Sequence, residues 1–214
     1  EETGKAFDYA RELGMEVFTT SGLRTLEWVD KLNPSGYKIS SGIFSNELLI
    51  EKTIEKKRPT IISTGISAYD DIDNIVTLFK NADHKDYAIL QCTSLYPCPD
   101  EEVHLSVMRS IEEKYQIMSG LSDHTTAIDV PSLAVAAGAK IIEKHFTLDR
   151  ALPGPDHRAS LEPNELKSMV KAIRNIEIAM GDGIKKAQPS EIKNITIARK
   201  SIVAKKRIFK GELF

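Results

Sequence analysis

Residues 117–146 read IMSGLSDHTTAIDVPSLAVAAGAKIIEKHF. Two strand-like runs, IMSGLSD (117–123) and AKIIEKHF (139–146), flank an apolar, alanine-rich helical segment, and a histidine stands at or near the end of each run. Strand, crossover helix, strand is one βα repeat, in which the two strands run parallel. Their polar tips, Ser122–His124 and Glu143–His145, therefore reach the same edge of the sheet.

Outward from this stretch the pattern repeats. MEVFTT (15–20), GYKIS (36–40), TIIST (60–64) and YAILQC (87–92) are further strand candidates, and successive starts lie 21 to 30 residues apart, the period of a βα unit. Helix punctuation fills the gaps. Gly14 closes the first helix; Ser45 and Ser67 are candidate N-caps, with Asp70 three residues after Ser67; Pro163 opens a long helix that runs to about Met180 and stops at Gly181.

Six parallel strands in strict alternation suit a doubly wound sheet or a (β/α)8 TIM barrel. No GxGxxG follows a strand, which removes the main mark of a dinucleotide-binding sheet. Polar residues gather at nearly every strand end: Thr19–Thr20, Lys38–Ser41, Ser63–Thr64, Thr93–Ser94, Ser122–His124 and Glu143–His145. A doubly wound sheet concentrates its site at one switch point, whereas a barrel draws on all its strand ends. The expectation is an α/β barrel over residues 1–181. Because six strands are two short of closure, two further βα units are expected before Glu1. Residues 182–198 read as a polar linker, and 199–214 as the opening of a second, small β domain.

Composition narrows the function. The 214 residues are 41% hydrophobic and 28% charged, with a net charge of −2. Interspersed charge of that size leaves no electrostatic footprint for nucleic acid or an anionic membrane. No apolar run approaches a bilayer span. Two cysteines, Cys92 and Cys98, make no disulfide framework, so a reducing cytoplasm is the simpler setting.

Strand parity sorts the tips. Glu143 and His145 share one face of their strand, as do Ser122 and His124 of theirs. With neighbouring strands about 4.8 Å apart, the two imidazoles can reach one borderline divalent ion such as Mn²⁺, Zn²⁺ or Fe²⁺. Packed core histidines give the same pattern, and the residues alone leave both readings open. Lys38 with Ser40 and Ser41, Ser63 and Thr64, and Thr93 and Ser94 offers an ammonium and O–H donors to a phosphate, although serine-rich strand ends are also ordinary turn chemistry. The loop DRALPGPDHRAS (149–160) is long for a βα loop and carries Asp156, His157 and Arg158.

Five motifs occur in order: YKISSG (37–42), IISTG (61–65), CTSLYPCP (92–99), GLSDHT (120–125) and EKHFTLDRALPGPDHRASLEP (143–163). Together they resemble the sialic acid (N-acetylneuraminate) synthase family, including its legionaminic acid and spore coat polysaccharide relatives. The resemblance implies a TIM barrel, of which this chain holds strands three to eight, followed by an antifreeze-like (SAF) domain in a domain-swapped homodimer. It implies condensation of phosphoenolpyruvate with an N-acetylated hexosamine, N-acetylmannosamine first, in the cytoplasm. It assigns His124 and His145 to a catalytic metal, Mn²⁺ before Mg²⁺ or Co²⁺. It gives Lys38, Ser41, Ser63, Ser94, Ser122 and Thr20 to phosphoenolpyruvate, and Tyr96 and Asp156 to the sugar. The family's first-strand glutamate, its second-strand lysine and the arginine sent by the partner's antifreeze-like domain have no counterpart in this sequence. A legionaminic-type synthase, a metal-dependent aldolase and a sugar- or phosphate-binding barrel without catalysis are the alternatives.

Overall fold

The computed structural model describes residues 2–213; Glu1 and Phe214, the outer bounds of the expected domains, lie outside the described residues. The first unit, ending at Met180, alternates helix and strand throughout. Its strands are β1 (Phe18–Thr19), β2 (Gly36–Ile39), β3 (Thr60–Ser63), β4 (Tyr87–Cys92), β5 (Met118–Asp123) and β6 (Ile141–Lys144). Its helices are α1 (Glu2–Glu12), α2 (Leu26–Asp30), α3 (Glu47–Ile54), α4 (Tyr69–Asn81), α5 (Ser106–Tyr115), α6 (Val130–Ala136) and α7 (Pro163–Met180). All six strands lie in one parallel sheet in sequence order.

Alternation along each strand separates two environments. Tyr37, Ile39, Ile62, Ile89 and Leu121 point to the face that the helices cover, where they pack against Leu49, Ile50, Ile75, Phe79, Met108, Ile111 and Ala134. Lys38, Ser63, Cys92, Ser122 and Glu143 occupy the opposite parity. That second face curls in on itself. Lys38 on β2 and Glu143 on β6 are separated by four strand spacings, about 19 Å in a flat sheet. Their charged ends nevertheless stand 3.3 Å apart. Only a sheet rolled into a barrel wall brings them together. Gly120 marks how tight the interior is, because a Cβ there would sit 2.2 Å from the Ile141 carbonyl oxygen and 2.8 Å from Leu90 Cδ2.

The element borders differ slightly from the sequence expectation. β1 keeps only two of its six expected residues, and β6 ends at Lys144, with Phe146 making one isolated parallel bridge to Leu161. Two N-caps shift by one residue. Asn46, not Ser45, accepts the Leu49 N–H at 3.1 Å, and Asp71, not Asp70, accepts the Ala68 N–H at 2.8 Å, while Ser67 donates to the Thr64 carbonyl. The Pro163 start, the Met180 end and the left-handed Gly181 (φ +62°) of the long helix are as expected.

The second unit begins at Gly181. In the segment read as a linker it forms two short helices, α8 (Pro189–Ile192) and α9 (Ile195–Ala198). Among the described residues, 199–213 contain no strand.

Candidate active site at the barrel mouth

The C-terminal ends of β2, β3 and β6 converge on one ammonium group. Lys38 Nζ donates to Ser63 Oγ at 2.8 Å and the Ile39 carbonyl at 3.1 Å, and pairs with Glu143; its side chain is only 12% exposed. Ser63 Oγ in turn donates to Glu143 Oε2 at 3.1 Å. Burial pulls the Lys38 pKa below its ordinary value, against the raising influence of Glu143 and Cys92. The charge is thus costly to hold in this place and is held by the Glu143 carboxylate.

A second cluster lies beside it. Ser41 Oγ accepts the Gly65 N–H at 2.9 Å and donates to Cys92 Sγ at 3.4 Å; Ser94 Oγ is 3.9 Å from the same sulfur. Gly65 is required at the centre, since a Cβ would fall 2.0 Å from Ser94 Oγ and 2.7 Å from Ser41 Oγ. Ser122, buried on β5, stands in register with Cys92 on one side and Glu143 on the other.

The two histidines do meet. Their ring centroids are 5.3 Å apart, and the Tyr96 ring lies 4.1 Å from His124 and 5.3 Å from His145, edge-on to the latter. His124 Nδ1 is 2.9 Å from the Thr93 carbonyl oxygen, a contact that places its proton on Nδ1 and leaves the Nε2 lone pair free. Cys98 N–H donates to the His124 carbonyl at 2.9 Å, which fastens the Tyr96 loop to the tip of β5. Burial pushes His124 down, but Cys92, the Thr93 carbonyl and Glu143 outweigh it and the pKa is raised. Burial and then the neighbouring His124 lower that of His145.

Asp156 begins a 3₁₀ turn (Asp156–Ala159), exposed, with its charge felt by both Tyr96 and His145. Its loop is braced by His157 Nδ1 at 2.7 Å from Thr147 Oγ1, and by Arg150 on the Ser160 carbonyl and Glu165. Of the expected residues, Lys38, Ser41, Ser63, Ser94, Ser122, Tyr96, His124 and His145 form linked clusters at the strand ends, and the charge of Asp156 acts on Tyr96 and His145. Thr20 does not join them through its side chain: it is exposed just beyond β1, and its carbonyl accepts a 3.5 Å contact from Thr19 Oγ1. Sequence reasoning gave no role to Cys92 or to Glu143 as the partner of Lys38. Parity along YAILQC and IIEKHF was the available signal for both.

Residues 1–185 match the NeuB family. The chain belongs to that family. Among its NeuB relatives it is 48% identical, over 88% of this chain and 58% of the relative, to an N,N'-diacetyllegionaminic acid synthase of Campylobacter jejuni. It is 38% identical to the human N-acetylneuraminate-9-phosphate synthase, over 96% of this chain and 57% of that protein. Among solved structures, an N-acetylneuraminic acid synthetase from Leptospira borgpetersenii superimposes with a TM-score of 0.85 at 31% identity, covering 92% of this chain and 69% of that one. A 3-deoxy-D-arabino-heptulosonate 7-phosphate synthase from Thermotoga maritima shares the fold at TM-score 0.73 and 17% identity. This NeuB chain thus spans a little under three fifths of the two named curated relatives.

The donor set fits a divalent ion of modest demands. His124 has a free Nε2 on a ring oriented by a backbone carbonyl, and His145 faces it. Among the described residues no third histidine, cysteine or carboxylate completes a closed cage. Two imidazoles with open positions suit an ion that receives substrate rather than a structural zinc.

Proposed function

We propose that this protein is a nonulosonic acid synthase, which condenses phosphoenolpyruvate with an N-acetylated hexosamine and water and releases phosphate. One observation carries the reading: a buried ammonium ringed by hydroxyls and a facing pair of imidazoles open onto the same barrel mouth. Lys38 and the hydroxyls of Ser41, Ser63, Ser94 and Ser122 hold the phosphate, and the short reach between these tips fixes the enolpyruvate against the sugar. Tyr96 and Asp156 contact the sugar. A divalent ion on His124 and His145, Mn²⁺ by preference, would supply Lewis-acid polarisation of the sugar aldehyde. Bond formation between enolpyruvate C3 and the aldehyde carbon leaves C2 electron-poor, and water added there gives an intermediate that expels phosphate.

N-acetylmannosamine is the sugar of first choice. The 48% identity to a legionaminic acid synthase favours a second reading, in which a diacetamido-trideoxyhexose takes its place. The domain-swapped homodimer belongs to the same proposal, as does a cytoplasmic reaction, since phosphoenolpyruvate is a cytoplasmic metabolite; no described helix is long and apolar enough to cross a membrane. The test is phosphate release from phosphoenolpyruvate by the full-length protein, with each sugar and Mn²⁺ added singly and together. Release only when sugar and metal are both present supports the proposal, and the faster sugar decides between the two readings. Turnover indifferent to metal would overturn the role of the histidine pair. Reductive trapping of a lysine–sugar adduct with borohydride would favour a Schiff-base aldolase instead.

A further inference from the structure

Behind the two histidines, on the helix-covered face of the sheet, lies an ion pair for which the proposed chemistry has no use. Asp123 and Lys144 are register partners on β5 and β6. Their carboxylate and ammonium meet at 2.6 Å, with the side chains 0% and 3% exposed. Each immediately precedes a histidine: Asp123 precedes His124, and Lys144 precedes His145.

The remaining bonds of the pair all go to one residue. Lys144 Nζ donates to the Thr125 carbonyl at 2.5 Å and approaches Thr125 Oγ1 at 3.4 Å. Asp123 Oδ1 accepts the Thr125 N–H at 2.9 Å, and Oδ2 accepts the Thr125 hydroxyl at 3.2 Å. Residues 123 and 125 bracket His124, so Lys144 on β6 holds the Asp123 carboxylate on one side of that imidazole and the Thr125 backbone carbonyl on the other. A buried ion pair is weak evidence for stability, because apolar residues of similar volume often serve as well; its better-attested value is in fixing register. Register is what this site needs. A one-residue slip of β6 along β5 would break the pair and turn His145 to the opposite face.

We propose that Asp123 and Lys144 are positioning residues that set the separation and facing of His124 and His145, so that both imidazoles address one divalent cation. The inference rests on the metal-binding reading above. It predicts that the pair governs cation affinity although neither side chain touches the cation.

The test is Mn²⁺ binding to the full-length protein, read by electron paramagnetic resonance of free and bound Mn²⁺, alongside the thermal midpoint. Lys144→Met should weaken Mn²⁺ binding about 10- to 100-fold, the usual effect of losing an outer partner of a metal ligand, and alter the bound spectrum. Asp123→Asn, nearly isosteric, should act in the same direction and serves if Lys144→Met does not fold. Asp30→Asn, which disturbs a charge cluster away from the mouth, should lower the thermal midpoint and leave Mn²⁺ affinity unchanged. Wild-type affinity and spectrum in both site variants would overturn the positioning role while leaving the metal site standing. Equal weakening in Asp30→Asn would overturn it too, by reducing the effect to general instability. A wild-type protein that binds no Mn²⁺ would remove the metal reading and this inference together.

Discussion

Lys38 is the residue on which the phosphate reading depends, and its surroundings say what its loss would do. Lys38→Met removes a charge-assisted donor worth about 1.5–3 kcal/mol and leaves Glu143 without its cation. The Michaelis constant for phosphoenolpyruvate should rise about 10- to 100-fold, with a smaller change in that for the sugar; equal changes in both would refute a phosphate role. His124→Ala should abolish turnover and Mn²⁺ binding while the circular dichroism spectrum stays native, and an active variant would remove the histidine from the mechanism. At this scale the sequence was informative because strand parity is a hard geometric rule: Lys38, Ser63, Ser122 and Glu143 follow from it directly. It could not show that Glu143 would reach back to Lys38, because that contact depends on how far the sheet rolls. It placed Thr20 at a strand tip, but β1 stops one residue before it.

Short helices and strand starts are held by charge clusters as well as by apolar packing. At the end of α2, Asp30 accepts from Tyr37 Oη at 2.9 Å and Arg58 Nε at 3.1 Å, with Lys56 at 3.5 Å. Burial alone would raise the Asp30 pKa, but these partners outweigh it and hold it below 3.8. A carboxyl with a depressed folded pKa stabilises fully above its unfolded value and loses that contribution as pH falls through the folded one. Wild type should therefore exceed Asp30→Asn in denaturant midpoint at pH 7, and the gap should close as pH drops below about 3.8. A gap independent of pH would contradict the linkage. Elements with strong internal periodicity, such as α7 and β4, were legible to the residue. Caps were not, since Ser45 and Asn46, or Asp70 and Asp71, differ only in which side chain the chain path turns toward the free N–H groups.

At the scale of the whole molecule, a ligand that binds only the folded barrel must stabilise it. If His124 and His145 hold Mn²⁺, saturation at one hundred times the dissociation constant adds about 2.7 kcal/mol. The thermal midpoint should rise with Mn²⁺ in wild type and stay fixed in His124→Ala; a rise in both would place the ion elsewhere. The barrel class was readable from the recurrence of βα units and from polar tips on every strand. The path after Gly181 was not, because its apolar residues, including Ile202 and Val203, are exposed and supply no periodic core to read. The Lys38–Glu143 contact across the rolled sheet has a last consequence. The place proposed for the phosphate already holds an anion of the protein's own, the tethered Glu143 carboxylate. If Lys38 seats phosphate as proposed, a visiting anion must displace that carboxylate, and a phosphate dianion would compete for the lysine better than chloride or a simple carboxylate. Under that reading, the seat would select its guests by charge as well as by shape.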